Sequence, residues 1–136
     1  MTTNSNHKLA DLRSDVRHQL SMRAQFSVSG PQPPLVRLSA ASGVKDGWLE
    51  ADAVDFSLGG VGLISLVFLP RHAILRLRLI TPGEESRILF EGDTLVRRVV
   101  MTDRRPAYHL GTSFHELDAD ARRQVTALND ALMEGM

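Results

Sequence analysis

Apolar side chains recur at every second position along most of this chain, and at every third or fourth position only near its end. The alternation is clearest in Leu75-Arg76-Leu77-Arg78-Leu79, where leucines mark a core face and arginines a water face. A period of two is that of a half-buried β-strand. Met22 to Val28 alternates in the same way until Ser29-Gly30-Pro31-Gln32-Pro33-Pro34, whose prolines lack the N–H a sheet ladder needs and so predict a stiff loop. Strand patterns resume over Leu35–Ala40 and Trp48–Val54, separated by a turn at Gly43–Gly47. Val61–Val67 is closed by Pro70, a turn is expected at Thr81–Glu85, and a long run follows from Ile88 to Met101 with Gly92 as a bend or bulge. A turn at Asp103–Pro106 and a short strand at Tyr108–Phe114 complete the series. Six or seven short strands at nearly even spacing predict a mainly β, closed or nearly closed antiparallel barrel over residues 21–115.

The period then changes to about 3.6. Leu117, Ala121, Val125, Leu128 and Leu132 fall on one stripe, with Asp118 as N-cap, Asp120 in the first turn and Gly135 just past the end. An amphipathic C-terminal helix is expected over residues 118–134, its stripe packing on the barrel. Residues 1–10 are polar and weakly patterned and are expected to be a mobile arm, with the next few residues leading into the first strand.

Length and charge narrow the possibilities. A chain of 136 residues makes one domain with a single core. Its 16 basic and 16 acidic side chains cancel, so no broad positive field draws nucleic acid or anionic lipid, and an anion has to be held locally. The absence of cysteine removes disulfides, thiolate nucleophiles and Cys-based zinc sites. His7, His18, His72, His109 and His115 show no metal-ligand spacing. Val61–Leu69 is too short and too interrupted to span a bilayer, and the polar N-terminus lacks the apolar core of a secretory signal, so the expectation is a cytoplasmic protein without membrane insertion. Ser57 lacks the GxSxG setting of a serine nucleophile, and no enzyme activity is expected.

Two short segments carry the chemistry. Arg13 and Arg17 stand four apart ahead of the first clear strand, and Asp55-Phe56-Ser57-Leu58-Gly59-Gly60 ends one strand and opens another. A guanidinium fork bonds two acceptors at once and stacks on a purine, and an ionised Asp is acceptor-only. Ser57 offers a hydroxyl, and Gly60 permits unusual backbone angles and close approach. Phe56 and Leu58 are expected to point inward and fix the strand below. Each half alone has an ordinary reading, the arginines as solvated charges and the second segment as a turn.

Together, in this order, the RxxxR of Arg13 and Arg17 and the DxSxxG of Asp55, Ser57 and Gly60 resemble the ligand signature of the PilZ domain family. The barrel and terminal helix, with Leu110-Gly111-Thr112-Ser113-Phe114 as closing strand, resemble the same family. The resemblance implies a receptor for cyclic di-GMP, with Arg13 and Arg17 on its phosphates and guanines and Asp55, Ser57 and Gly60 on the guanine side. It also implies a downstream protein partner, a role in motility, attachment or virulence, and no cofactor or metal; the chain is expected to be a monomer or homodimer. Two alternatives stay open: a PilZ-like interaction module that no longer binds the ligand, and a small barrel binding single-stranded nucleic acid. The arginines at 71, 76, 78, 97, 98, 104 and 105 suit such a groove, but aromatic platforms are scarce, and solvent-facing strand charge accounts for most of them.

Overall fold

The computed structural model describes residues 16–29, 47–83, 85–102 and 107–135. Six strands are seen among them: β1 (His18–Ser29), β2 (Leu49–Phe56), β3 (Gly60–Ser65), β4 (Ile74–Ile80), β5 (Ile88–Met101) and β6 (Tyr108–Phe114), followed by helix α1 (Ala119–Met133). All neighbours are antiparallel, and the order β1-β2-β3-β6-β5-β4 closes through β4 and β1 into a barrel. The expected strand Leu35–Ala40, the turn Asp103–Pro106, most of the turn ending at Gly47 and the N-terminal arm lie outside the described residues.

The two-residue period closes the barrel. Leu75, Leu77 and Leu79 are fully buried while Arg76 and Arg78 face outward, and the same inward set continues through Phe26, Leu49, Phe56, Leu63, Phe90, Val96 and Leu110. Each such side chain contributes roughly 1.5–3 kcal/mol by leaving water. Phe114 links Phe56 and Phe90, with ring centroids 6.0 and 5.1 Å away, in tilted contacts that tie β2, β5 and β6 together. The outward faces are laced by charge. Arg78 lies directly opposite Glu91 and Arg76 opposite Asp93, so opposite charges face each other across β4 and β5.

The helix begins where its capping chemistry predicts. Asp118 is the N-cap, its carboxylate accepting from Ala121 N at 2.8 Å, and Gly135 takes a positive φ just past the end. Ala121, Val125 and Leu128 are buried, and Gln124 Oε1 accepts from Glu91 N at 3.0 Å, fastening the helix to β5. Gly92 is not the expected bend. It pairs in register with Leu77, and a Cβ there would stand 2.7 Å from Phe90 Cζ and 2.9 Å from Leu117 Cδ2. The missing side chain makes room for the residue that leads into the helix. The irregularities on the two sides of β5 fall elsewhere, between Leu79 and Ile80 against β4 and between Val96 and Arg98 against β6.

Candidate functional site

Pairing of β1 with β2 sets His18 opposite Phe56 and Gln19 opposite Asp55. Whatever the length of the connection between them, that register delivers the residue before β1 to the end of β2. Arg17 Nη1 donates to Asp55 Oδ1 at 2.7 Å, joining one residue from each half of the sequence pattern across 38 positions. Arg17 is therefore anchored at the mouth of the first strand, beyond the expected arm of residues 1–10. Arg13 lies outside the described residues.

Asp55 is held from three sides. Besides Arg17, His109 Nε2 on β6 stands 3.8 Å from its Oδ2, and Gly62, its partner on β3, leaves the space its carboxylate fills. A Cβ on Gly62 would come within 2.6 Å of the carboxyl carbon. Gly62 was not singled out from the sequence; its signal is a glycine two positions after the DxSxxG segment, inside a strand pattern where glycine weakens the strand unless something must come close.

Ser57 is buried and forms the turn between β2 and β3. Its N donates to Gly60 O at 2.9 Å and its hydroxyl accepts from Gly59 N at 3.2 Å. That bond leaves the hydroxyl proton to be donated elsewhere. Gly59 O in turn accepts from Phe114 N at 2.9 Å, tying the turn to β6. Gly60 differs from the expectation on one point: its φ is not positive, the positive-φ glycines among the described residues being Gly47, Gly83 and Gly135. Its lack of a side chain is required instead by β6, since a Cβ would overlap the Thr112 carbonyl and lie 2.8 Å from its carbon. Leu58 also departs from expectation. Phe56 points into the core, whereas Leu58 is at the tip of the turn, 38% exposed, because the chain reverses before a second inward position is reached.

Arg17, Asp55, Ser57, Gly59, Gly62 and His109, but not Gly60, edge a pocket of about 540 Å³ that also takes in Gly111, Thr112 and Ser113 of β6 and Arg97 and Arg98 of β5. Its floor follows the registers. Asp55 pairs with Gly62, Gly62 with Gly111, and Gly111 with Arg98, so two glycines in adjacent strands separate an acidic wall from a basic one. The two arginines were read in the sequence as ordinary strand charge; what brings both to the pocket is the irregularity between Val96 and Arg98. It leaves consecutive residues exposed where strict alternation would turn one inward.

Several arginines elsewhere on the barrel are paired within it. Arg78 Nε donates to Glu91 Oε1 at 2.8 Å and lies 3.7 Å over the Trp48 ring, and Arg76 contacts Glu91 and Asp93 at 3.1 and 3.5 Å. The hydrogen bond from Arg78, helped by Arg76, holds the Glu91 carboxyl below the ordinary range against the opposite push of burial. For Arg76, partial burial works against the charge and is outweighed by Glu91 and Asp93, which raise its pKa. No cluster of metal-ligating side chains is found among the described residues, and among them no helix is long and apolar enough to cross a membrane.

Comparison with known proteins agrees with the geometry. The family model described as the PilZ domain matches residues 11–130. This chain belongs to the PilZ domain family. Among solved structures, the PilZ domain of YcgR from Escherichia coli with c-di-GMP is similar at a TM-score of 0.58 and 14% identity, over 88% of this chain and 90% of that one. MotI/DgrA, an inhibitor of motility from Bacillus subtilis, is similar at 0.62 and 15%, over 88% of this chain and 50% of that one. MrkH of K. pneumonia in complex with c-di-GMP is similar at 0.56 and 20%, over 88% and 51%. The PilZ chain thus spans about half the length of MotI and of MrkH, and nearly all of the YcgR domain. No curated protein matches it by sequence.

Proposed function

We propose that this PilZ domain is a cyclic di-GMP receptor module that changes conformation on binding and passes its occupancy to a partner protein. The observation that carries the reading is the meeting of Arg17 and Asp55, 2.7 Å apart, at the rim of the pocket built by the turn at Ser57. A guanine edge offers N–H donors to the Asp55 carboxylate, and phosphate or guanine acceptors suit the Arg17 fork. Family membership and the two similar structures that contain c-di-GMP support the same ligand.

The contact also supplies a route for the signal. Asp55 bonded to Arg17 has less acceptor capacity for guanine, so a ligand that engages Asp55 competes with that bond and moves the segment leading into β1. Ligand binding shifts the arrangement only by as much as it favours one form over the other. Arg13, four residues upstream, belongs to the same segment and is assigned to the ligand with Arg17, as Ser57 is through its free hydroxyl proton. Gly60 serves the site by letting β3 and β6 close beneath it.

Titration calorimetry with cyclic di-GMP tests the reading. The wild-type protein is expected to bind, and Arg17→Ala to weaken binding by about 1.5–3 kcal/mol, the range for a hydrogen bond to a charged group. Failure of the wild-type protein to bind at high micromolar ligand would overturn the receptor reading in favour of an interaction module.

A further inference from the structure

Resting on that reading and extending it, we propose that Arg97 and Arg98 form a second ligand-binding limb, taking phosphate oxygens across the glycine floor from Arg17 and Asp55. Neither residue belongs to the two sequence segments that define the first wall. Both line the same pocket, and both are exposed because the irregularity in β5 turns consecutive side chains outward.

Charge balance supports the assignment. Arg17 faces Asp55, and Arg76 and Arg78 face Glu91 and Asp93, whereas among the described residues no carboxylate lies within ion-pair distance of Arg97 or Arg98. Two uncompensated guanidinium charges on one rim match the two negative charges of a cyclic dinucleotide. Cross-strand geometry points the same way. The residue opposite Arg98 is Gly111, which offers no counter-charge and leaves the space beside the arginine open to a ligand. Arg97 Nε donates to Ser113 Oγ at 3.0 Å, which fixes the guanidinium plane while leaving its terminal nitrogens for an anion. Asp55 and Arg98 are three strand steps apart, about 14 Å between backbones, and both line the pocket on either side of Gly62 and Gly111. A flat ligand can lie against the Gly111 half of that floor, where only Arg98 Cβ would stand near an added side chain, while over Gly62 it meets the Asp55 carboxylate.

The test is calorimetric titration of cyclic di-GMP into the wild-type protein, Arg97→Ala, Arg98→Ala, the double variant and Arg87→Ala, an exposed arginine outside this pocket. It is paired with NMR of the wild-type arginine Nε–Hε groups during titration with cyclic di-GMP and, separately, with inorganic pyrophosphate. The expected result is a loss of about tenfold for each single variant and about a hundredfold for the double, at the lower end for charged hydrogen bonds, with Arg87→Ala unchanged. The Arg97 and Arg98 resonances are expected to shift with both ligands. A double variant that binds as the wild type does would overturn the second limb and leave the receptor reading standing. If the wild-type protein ignores cyclic di-GMP, the receptor reading fails, and pyrophosphate decides the limb: shifts at Arg97 and Arg98 keep it, and their absence removes it. Should the double variant not fold, the wild-type resonances give the same decision.

Discussion

Two arginine pairs on the outer wall of one barrel have opposite surroundings. Arg76 and Arg78 alternate on β4, each directly across from an acid on β5, and Arg78 also covers Trp48. Arg97 and Arg98 are consecutive on β5; across from Arg98 is a glycine, and Arg97 is steadied by a neutral hydroxyl. The first pair is complete within the fold, and adding an anion there would disrupt existing bonds. The second has donors in place and, among the described residues, no carboxylate within ion-pair distance to take them, beside a pocket that already contains Arg17 and Asp55. Unpaired charge beside a pocket, rather than arginine content or exposure alone, sets the proposed binding face apart from the structural one, since Arg87 is exposed too but lies outside this pocket. The prediction is a division of labour: changes at the first region alter stability, and changes at the second alter ligand affinity.

The largest expected effect cuts across that division and so sharpens it. Gly60 belongs to the sequence pattern of the site, yet its Cβ position is filled by the Thr112 backbone, which cannot rotate aside. Gly60→Ala is expected to cost about 3 kcal/mol of folding stability, the upper part of the range for overpacking. The corresponding fall in Tm is about 10 °C for a domain of this size. Calorimetric or circular-dichroism melting checks it. A variant that melts with the wild type but loses cyclic di-GMP would place Gly60 in direct ligand contact instead.

Gly62 is the converse case. The atoms its Cβ would meet belong to the Asp55 carboxylate, the mobile end of a side chain, so the fold can yield there by rotating Asp55 away from Arg17. Gly62→Ala is expected to change stability by less than about 1 kcal/mol, since the Arg17 side of the pair it disturbs is more than half exposed and the attraction is screened, and to weaken cyclic di-GMP about tenfold or more. Equal binding by this variant would show that the position of the Asp55 carboxylate does not matter to the ligand.

The contrast also explains what was legible in the sequence. Strict alternation, as in Leu75 to Leu79, revealed strand and facing together, because a period of two leaves no choice once one face is buried. The C-terminal helix was legible through Asp118 and the apolar stripe. Arg17 and Asp55 could be paired only by resemblance, since 38 positions separate them and the register that joins them is tertiary. Arg97 and Arg98 were hidden for a related reason: an alternating pattern assigns consecutive arginines to opposite faces, and an irregularity such as the one after Val96 leaves no composition signal. Glycines misled in the same way. Gly60 suggested unusual backbone angles and close approach of a ligand, and Gly92 a bend, whereas both are needed where another part of the chain comes close, a distance no local pattern encodes.

The smallest effect belongs to the self-satisfied pair. Because Arg78 and Arg76 hold the Glu91 carboxyl below its ordinary pKa, the folded protein binds a proton at Glu91 less readily than the unfolded chain does, whose carboxyl titrates near about 4.3. Unfolding therefore takes up protons in this window, and stability rises with pH through it. The contribution is fully present above about pH 5 and is lost as pH falls through the lowered folded value. Glu91→Gln removes that dependence. Its cost at pH 7 is expected to be under about 1 kcal/mol, since these side chains are partly exposed and the attraction is screened, and the cost should be smaller at pH 3, below the unfolded value. Urea unfolding at the two pH values checks the shrinkage, and cyclic di-GMP affinity at pH 7 should equal that of the wild type. A cost that is the same at both pH values would mean that Glu91 stabilises through shape rather than charge. A loss of affinity would mean that the two arginine regions are coupled through β5 and do not divide stability from binding.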